Sequence, residues 1–253
     1  MRDLAEHLTK WVHDQVAEAG GQGVVFGVSG GVDSAVIAAI AKRAFAEHTL
    51  GVLMPCHSDP RDAADGAFVA ERVGVPFTTV DLTPTFDVLA RSLATASPGV
   101  LQSRLALANL KPRLRMTTLY ALANELGYFV LGSSNRSELA VGYFTKYGDG
   151  GVDLLPLGSL TKSQVRALAE YLRVPRRIID KPPSAGLWSG QTDEAEMGLT
   201  YDELDAYLMG TLGGSHPRID AMRAASRHKR ELPRIAPFPE EDVTGKTTGP
   251  RGR

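Results

Sequence analysis

Four short apolar segments alternate with longer segments of helical periodicity along the first half of the chain. The short segments, which predict buried strands, are residues 24–28, 50–54, 77–81 and 128–132. The longer segments, which predict amphipathic helices, are residues 4–16, 34–47, 61–73, 86–95 and 113–126. Strands that alternate with helices form a parallel sheet whose two faces are both covered. The pattern therefore predicts an α/β fold with a doubly wound, mostly parallel sheet and helices on both faces.

The second half of the chain is less regular. Residues 133–160 are too rich in glycine and polar residues to form one regular element, and loops of this length in compact domains usually carry function. Capping-box patterns predict one helix that Thr161 opens and that runs to Leu172, and another that Thr200 opens. The second of these helices runs to residue 209. Between the two helices, residues 181–197 predict a loop.

Composition limits the classes of protein that the chain could represent. The 253 residues, 43% of them hydrophobic, suffice for one core, so we expect one domain over residues 1–240 and a disordered tail over residues 241–253. The net charge of -1 gives no general electrostatic argument for a nucleic acid partner. No window approaches the roughly 18 apolar residues of a membrane span, and the first residues carry no export signal, so we expect a cytoplasmic protein without a membrane partner. Cys56 is the only cysteine, which excludes an internal disulfide and paired-cysteine chemistry.

Directly after the first predicted strand, residues 29–34 read Ser-Gly-Gly-Val-Asp-Ser. A glycine-rich turn between a strand and a helix presents free N–H groups to an anion, and its hydroxyls and carboxylate are oxygen ligands of the kind that Mg2+ prefers. A metal-bound polyphosphate fits such a turn, and ATP is the first candidate. The spacing matches neither a Walker loop nor the G-x-G-x-x-G dinucleotide fingerprint. The plain alternative is a turn in which Asp33 or Ser34 only caps the helix.

These six residues resemble the PP-loop of the ATP pyrophosphatases, and three further segments narrow the resemblance to the NAD+ synthetases. The segments are LGSSNRSE at 131–138, GYFTKYGDGGVDLLPLG at 142–158 and KPPSAGLWSGQTDE at 181–194. The resemblance implies a Rossmann-like fold of the adenine nucleotide alpha hydrolase type. It also implies a two-step amidation of nicotinic acid adenine dinucleotide, the deamido form of NAD+. First the pyridine carboxylate attacks the α-phosphorus of ATP and expels pyrophosphate, and then ammonia displaces AMP.

The resemblance further implies roles for individual residues. Those implied to bind ATP are Gly27, Val28, Ser29, Gly30, Gly31, Val32, Asp33, Ser34, Ser133, Lys162 and Ser184. Those implied to bind the deamido dinucleotide are Arg113, Lys146, Asp153, His228 and Lys229. Asp33 and Glu138 are implied to hold Mg2+, and Lys162 to offset charge that develops at the α-phosphate. The plain alternatives for Glu138 and Lys162 are exposed side chains at the starts of helices. Asp149 is a candidate to hold or deprotonate ammonium for the second step, and its plain alternative is a simple turn residue.

The nitrogen source and the assembly follow from the same resemblance. The chain resembles the ammonia-dependent form, because no part of it is long enough to encode a glutaminase domain, and a separate glutaminase partner is the alternative. Relatives with this chemistry imply a homodimer that binds the dinucleotide across its interface. The competing interpretations are a GMP-synthetase-like enzyme without its glutaminase and a nucleotide-binding regulator without catalysis. Residues 55–65 follow the family pattern poorly, which leaves the adenine contacts, including any role of Arg61, undecided.

Overall fold

A four-stranded sheet organises the described part of the chain. The computed structural model describes residues 1–99, 103–188 and 190–236. Its strands are β1 (Gly23–Gly27), β2 (Thr49–Leu53), β3 (Phe77–Thr79) and β4 (Tyr128–Val130). All neighbouring strands pair in parallel, in the order β3-β2-β1-β4. The predicted fold class is therefore confirmed.

Helices connect the strands and continue beyond the sheet. They are α1 (Arg2–Glu18), α2 (Val32–Ala44), α3 (Pro60–Val73), α4 (Thr83–Ala96), α5 (Arg104–Ala108), α6 (Leu110–Leu126), α7 (Arg136–Val141), α8 (Lys162–Tyr171), α9 (Arg176–Ile179), α10 (Asp193–Met197), α11 (Tyr201–Leu208) and α12 (Pro217–Ala225). A short 3-10 turn, Arg227–Lys229, follows α12. None of the described helices is long and apolar enough to cross a membrane.

The strand order places a cleft beside the Ser-Gly-Gly-Val-Asp-Ser turn at residues 29–34, which is called the phosphate turn below. Strands β2 and β3 lie on one side of β1, and β4 lies on its other side, so the direction of winding reverses between β1 and β4. In sheets of this kind ligands bind at the carboxyl ends of the strands, at the point of reversal. Val25 pairs with both Leu50 and Val130, so the segments that leave β1 and β4 start side by side.

Two hydrophobic clusters cover the two faces of the sheet, because successive residues of a strand point to opposite faces. Phe26 packs in one cluster with Ile37 of α2 and Leu168 of α8. Val25 packs in the other with Leu119 of α6. A third cluster, separate from the sheet, joins the later helices, and its buried members are Val141, Met197, Leu199, Tyr201, Leu204 and Ile219.

Several details differ from the sequence prediction. The loop predicted over residues 181–197 is wrong at its end, where α10 forms because Met197 is buried in the third cluster. The glycine-rich segment contains the short helix α7, and α5, α9 and α12 were not predicted at all. Both capping boxes are confirmed, at Thr161 and at Thr200. The tail predicted over residues 241–253 lies outside the described residues.

Candidate active site

The phosphate turn is tied together by its own hydroxyls. The Ser29 backbone N–H donates to the Ser34 Oγ at 3.2 Å, the two Oγ atoms lie 2.9 Å apart, and the Ser34 Oγ donates to the Gly31 carbonyl at 3.0 Å. Gly31 is the N-cap of α2 and no side chain caps it, so the alternative in which Asp33 or Ser34 caps this helix is wrong. Gly30 has a φ of +76°, and a Cβ there would lie 2.6 Å from the Asp62 carbonyl. Only glycine fits at this close approach to α3.

A buried ammonium joins two carboxylates beside this turn. The Lys162 Nζ lies 2.5 Å from Asp33 Oδ2 and 3.4 Å from Glu138 Oε1. The Asn135 Nδ2 donates to the other oxygen of Asp33 at 3.0 Å. The Lys162 side chain is only 3% exposed, so the alternatives of exposed helix-start side chains are wrong for Lys162 and for the 14% exposed Glu138. Helices α2, α7 and α8 thus bring three predicted residues to one point.

Burial perturbs both partners of this cluster. Burial raises the pKa of the Glu138 carboxyl to about 7, although the Lys162 ammonium opposes the shift. Burial alone would lower the pKa of Lys162, but the carboxylates of Asp33 and Glu138 raise it above its ordinary value. At neutral pH Lys162 therefore stays charged, while Glu138 carries only part of its negative charge.

A further carboxylate adds to the negative charge of the cluster. The Tyr201 hydroxyl lies 2.9 Å from Asp193 Oδ2 and 3.3 Å from Glu138 Oε1. The Asp193 Oδ1 is buried and accepts no hydrogen bond from any residue that the structure describes. The Asp193 carboxylate also helps to raise the pKa of Lys162, so three carboxylates act on one ammonium, and additional positive charge would compensate them.

These residues fit Mg2+. This ion usually takes one or two protein carboxylates and completes its octahedron with water and phosphate oxygens. Asp33 and Glu138 supply two carboxylates at the mouth of a phosphate turn. Within the described ranges no group of three or more His, Cys, Asp or Glu side chains has the arrangement of an all-protein metal site.

The cluster lines a cavity of about 960 Å3. Of the residues implied to bind ATP, those at 27–29, 31–33, 133, 162 and 184 line this cavity. Gly30 packs against α3, and the Ser34 hydroxyl faces its own turn, so these two shape the turn rather than the cavity. Arg61 also lines the cavity, although it forms an ion pair with Asp59 at 2.6 Å.

The residues implied to bind the deamido dinucleotide lie mostly outside this cavity. Only Lys229 lines it, and the Lys229 Nζ donates to the carbonyls of Gly142 and Phe144 at 2.7 Å each. Lys146 donates to the His228 carbonyl, and Arg113 donates to the Lys146 carbonyl at 3.4 Å.

Asp153 is separate from that group. Its carboxylate accepts the Tyr120 hydroxyl at 2.9 Å and the Val130 N–H at 2.8 Å. The structure therefore brings Arg113, Lys146 and His228 together and places Asp153 elsewhere.

Asp149 lines the cavity and also organises its own loop. Its Oδ1 accepts the Thr145 N–H at 2.8 Å, and the Thr145 hydroxyl donates to Asn109 at 2.8 Å. Burial raises the pKa of the Asp149 carboxyl. The role of a turn residue is therefore present, and an ammonium-binding role stays a prediction.

Sequence reasoning missed several residues that complete the cavity. The Lys181 Nζ lies 2.8 Å from both Asp62 and Asp65 of α3, and so ties the segment that carries Ser184 to the helix beside the phosphate turn. Arg115 donates to the Met54 carbonyl at 3.1 Å and fixes the segment after β2. Lys181 stood at the start of a matched motif, but no local pattern marks its acidic partners.

A parallel α/β sheet with a serine- and glycine-rich turn at its point of reversal, and a buried lysine beside two carboxylates, is typical of the ATP pyrophosphatases of the PP-loop type. The model of the family described as NAD synthase matches residues 4–233. The chain therefore belongs to the NAD synthase family.

Individual relatives agree with this membership. An NH(3)-dependent NAD(+) synthetase of Carboxydothermus hydrogenoformans is 49% identical over 236 residues, which cover 92% of this chain and 96% of the relative. The solved NMN synthetase from Francisella tularensis superposes with a TM-score of 0.88 at 37% identity, over 94% of this chain and 98% of that one. The NH3-dependent NAD synthetase from Campylobacter jejuni gives a TM-score of 0.74 at 28% identity, over 93% of this chain and 99% of that one.

Proposed function

We propose that this chain is a ligase that uses ATP and ammonia to convert deamido-NAD+ to NAD+, releasing AMP and pyrophosphate, as the last step of NAD+ biosynthesis. The observation that carries the proposal is the buried contact of Lys162 with Asp33 and Glu138 beside the phosphate turn. The description of the family as NAD synthase, and the name NH(3)-dependent NAD(+) synthetase of a 49% identical relative, support the proposal.

The chemistry takes two displacements. In the first, a carboxylate oxygen of the pyridine ring bonds to the α-phosphorus of ATP, and the bond from that phosphorus to pyrophosphate breaks. In the second, ammonia bonds to the acyl carbon, the bond from that carbon to AMP breaks, and the nitrogen loses a proton. A carboxylate is a poor acyl donor at neutral pH, and AMP supplies the leaving group that it lacks.

The residues of the cavity serve mainly to position and to neutralise charge, as in other nucleotidyl transfers. The N–H groups of the phosphate turn, with Ser29, Ser133 and Ser184, hold the triphosphate. Lys162 offsets the negative charge that grows at the α-phosphate. Asp33 and Glu138 would hold Mg2+, and the bound ion would supply positive charge beside the triphosphate.

The second nucleotide site and the assembly belong together in this proposal. Arg113, Lys146 and His228 lie together outside the cavity, and in this proposal the dinucleotide extends over them along the surface of the protomer, while Asp153 lies apart from them. A homodimer that closes this surface would complete the site, in agreement with the twofold pairing usual among soluble proteins. Cytoplasmic location stays a prediction.

A second candidate substrate is the deamido mononucleotide. Among the solved relatives, the NMN synthetase superposes with a higher TM-score, 0.88, than the NAD synthetase from Campylobacter jejuni, 0.74. A mononucleotide also needs fewer of the contacts that lie outside the cavity. Comparing kcat/KM for the two acids distinguishes the candidates, because each enzyme should prefer its own substrate by more than about tenfold.

The decisive experiment mixes the protein with ATP, Mg2+ and either deamido acid, supplies ammonium or glutamine, and quantifies pyrophosphate and amide product together. Equal release of both with ammonium alone supports the proposal. Pyrophosphate without amide means that adenylation occurs and that nitrogen comes from another source, such as a separate glutaminase. If neither pyrophosphate nor amide is formed, the proposal is refuted. Asp33→Asn serves as the control, and it should retain less than about a tenth of the activity because a metal ligand is lost.

The role of Asp149 needs its own arm of this experiment. If Asp149 holds ammonium, Asp149→Asn should raise the KM for ammonium while pyrophosphate release with saturating ATP continues. If it only shapes the loop, Asp149→Asn should leave both steps nearly unchanged, because the amide oxygen of asparagine can still accept the Thr145 N–H.

A further inference from the structure

Asp205 is a buried carboxylate with no role in the reaction described above. It lies on α11 and is only 5% exposed. Its Oδ1 accepts the Ser137 hydroxyl at 2.5 Å, and its Oδ2 accepts the Ser163 N–H at 2.8 Å and the Ser163 hydroxyl at 2.5 Å. Three donors therefore converge on one carboxylate, from α7 and from α8.

This carboxylate completes the start of α8, the helix that Lys162 opens. The first N–H groups of a helix have no partner within it and need acceptors elsewhere. Thr161 and Gln164 satisfy each other through the capping box. The Lys162 N–H donates to the Ser137 hydroxyl at 3.1 Å, and the Ser163 N–H donates to Asp205. Asp205 thus accepts the Ser163 N–H directly and the Lys162 N–H through the Ser137 hydroxyl. Its negative charge is also favourable at a helix N-terminus.

Helix α11 contacts the side chain of Lys162 as well as its backbone. Tyr201 lies four residues before Asp205, so both point from the same face of α11. The Lys162 Nζ lies 4.9 Å from the centre of the Tyr201 ring, a cation–π distance. One helix therefore holds the base of the lysine through Asp205 and its tip through Tyr201.

We propose that Asp205 is a positioning residue that sets where the Lys162 ammonium lies relative to Asp33 and Glu138. The hydroxyl of Ser137 transmits this constraint to α7, because Ser137 directly precedes Glu138 in the chain. The inference rests on the proposed function, in which Lys162 acts on the α-phosphate. Asp205 itself touches neither substrate nor metal in this scheme.

Asp205→Asn is the sharpest perturbation. The amide has nearly the same shape, but it offers one acceptor oxygen where the carboxylate offers two. Its NH2 group would face the Ser137 hydroxyl, which already accepts the Lys162 N–H. At least one of the three donors therefore loses its acceptor, and the start of α8 shifts.

The experiment follows pyrophosphate release in single turnovers, with enzyme in excess so that slow variants remain measurable. Asp205→Asn should reduce the rate at saturating ATP by about tenfold to a hundredfold, while the KM for ATP changes by less than about threefold. In a Lys162→Ala background the same substitution should reduce the rate by less than about twofold, because residues that act as a unit are not additive. Asp202→Asn, an exposed position on the same helix, is the control and should change neither value.

A second readout does not depend on turnover. Lys162 is 2% exposed, and acetylation followed by mass spectrometry should leave it largely unmodified in the wild type. Asp205→Asn should increase its acetylation at least about threefold, while Lys111, which is 6% exposed elsewhere in the molecule, stays protected. Thermal unfolding accompanies both measurements, and Ser163→Ala, which removes one donor only, replaces Asp205→Asn if that variant does not fold.

The outcomes separate the two proposals. An equal loss of rate in the wild-type and Lys162→Ala backgrounds, or equal gains of acetylation at Lys162 and Lys111, would overturn the positioning role. Wild-type protein that releases no pyrophosphate would refute the proposed function, and the acetylation pattern alone would then decide whether Asp205 positions Lys162.

Discussion

Asn135 connects the stability of the site to its chemistry, and its replacement by alanine is the most informative single change. This residue is fully buried. Its side chain caps α7 by accepting the Glu138 N–H at 3.1 Å, and its Nδ2 donates to Asp33 at 3.0 Å. Loss of an N-cap costs about 1 kcal/mol, and loss of a hydrogen bond to an ionised group costs about 1.5–3 kcal/mol.

Together these terms give a loss of about 3 kcal/mol in the free energy of unfolding for Asn135→Ala. For a chain of this size that loss lowers Tm by about 6–12 °C. Pyrophosphate release should also slow by at least about tenfold, since Asp33 loses the donor that holds its carboxylate beside Lys162.

Asn135→Ser is the matched control, because serine caps a helix as well as asparagine but is too short to replace the amide that reaches Asp33. The serine variant should regain about 1 kcal/mol of stability in urea unfolding and should remain as slow as the alanine variant in pyrophosphate release. Recovery of full activity in the serine variant would refute the reasoning, because the cap alone would then explain the effect. A loss of less than about 1 kcal/mol in the alanine variant would refute the energies assigned.

Three other outcomes are expected. The pKa of Glu138 is raised to about 7, so protonation of this carboxyl stabilises the folded protein, and that stability is lost as pH rises through 7. The rise in Tm on adding Mg2+ should therefore be larger at about pH 8 than at about pH 6. This rise should disappear in Glu138→Gln. Burial also raises the pKa of the Cys56 thiol, so iodoacetamide at about pH 8 should label the native protein much more slowly than the urea-unfolded protein, and equal rates would contradict its burial. Lys181→Ala should raise the KM for ATP by about tenfold. Its Tm should shift by a few degrees at most, because the partly exposed ion pairs of Lys181 with α3 stabilise the fold little. An unchanged KM in initial-rate assays would show that these ion pairs do not matter for ATP binding.

The sequence predicted the parts of this molecule that depend on local pattern. The strands around Val25, Leu50 and Val130 follow from their apolar runs, and the starts of α8 and α11 follow from capping boxes. The phosphate turn was recognisable because six adjacent residues carry its chemistry. Helices of four to six residues, such as α7 and α9, span too few turns to produce a periodic signal.

The contacts that complete the site are long-range, which is why the sequence did not predict them. Asn135 and Asp33 are 102 residues apart, and Lys162 and Asp33 are 129 residues apart. Motif resemblance indicated that the lysine and the aspartate belong to one site. It carried no information on the hydrogen bond from Asn135, or on the carboxylate of Asp205, whose partners are serines on two other helices.

The contacts of Lys229 and Arg230 determine when the site can form during synthesis. Lys229 binds the carbonyls of Gly142 and Phe144, 87 and 85 residues earlier, and Arg230 binds the Leu139 carbonyl, 91 residues earlier. A ribosome has therefore made the sheet, the phosphate turn and the carboxylate cluster long before the groups that fasten this loop exist. A nascent chain that ends before residue 229 can bury most of its core, but its active-site loop lacks these fastenings. These contacts therefore form late in translation, after the residues of the sheet and of the carboxylate cluster have been made.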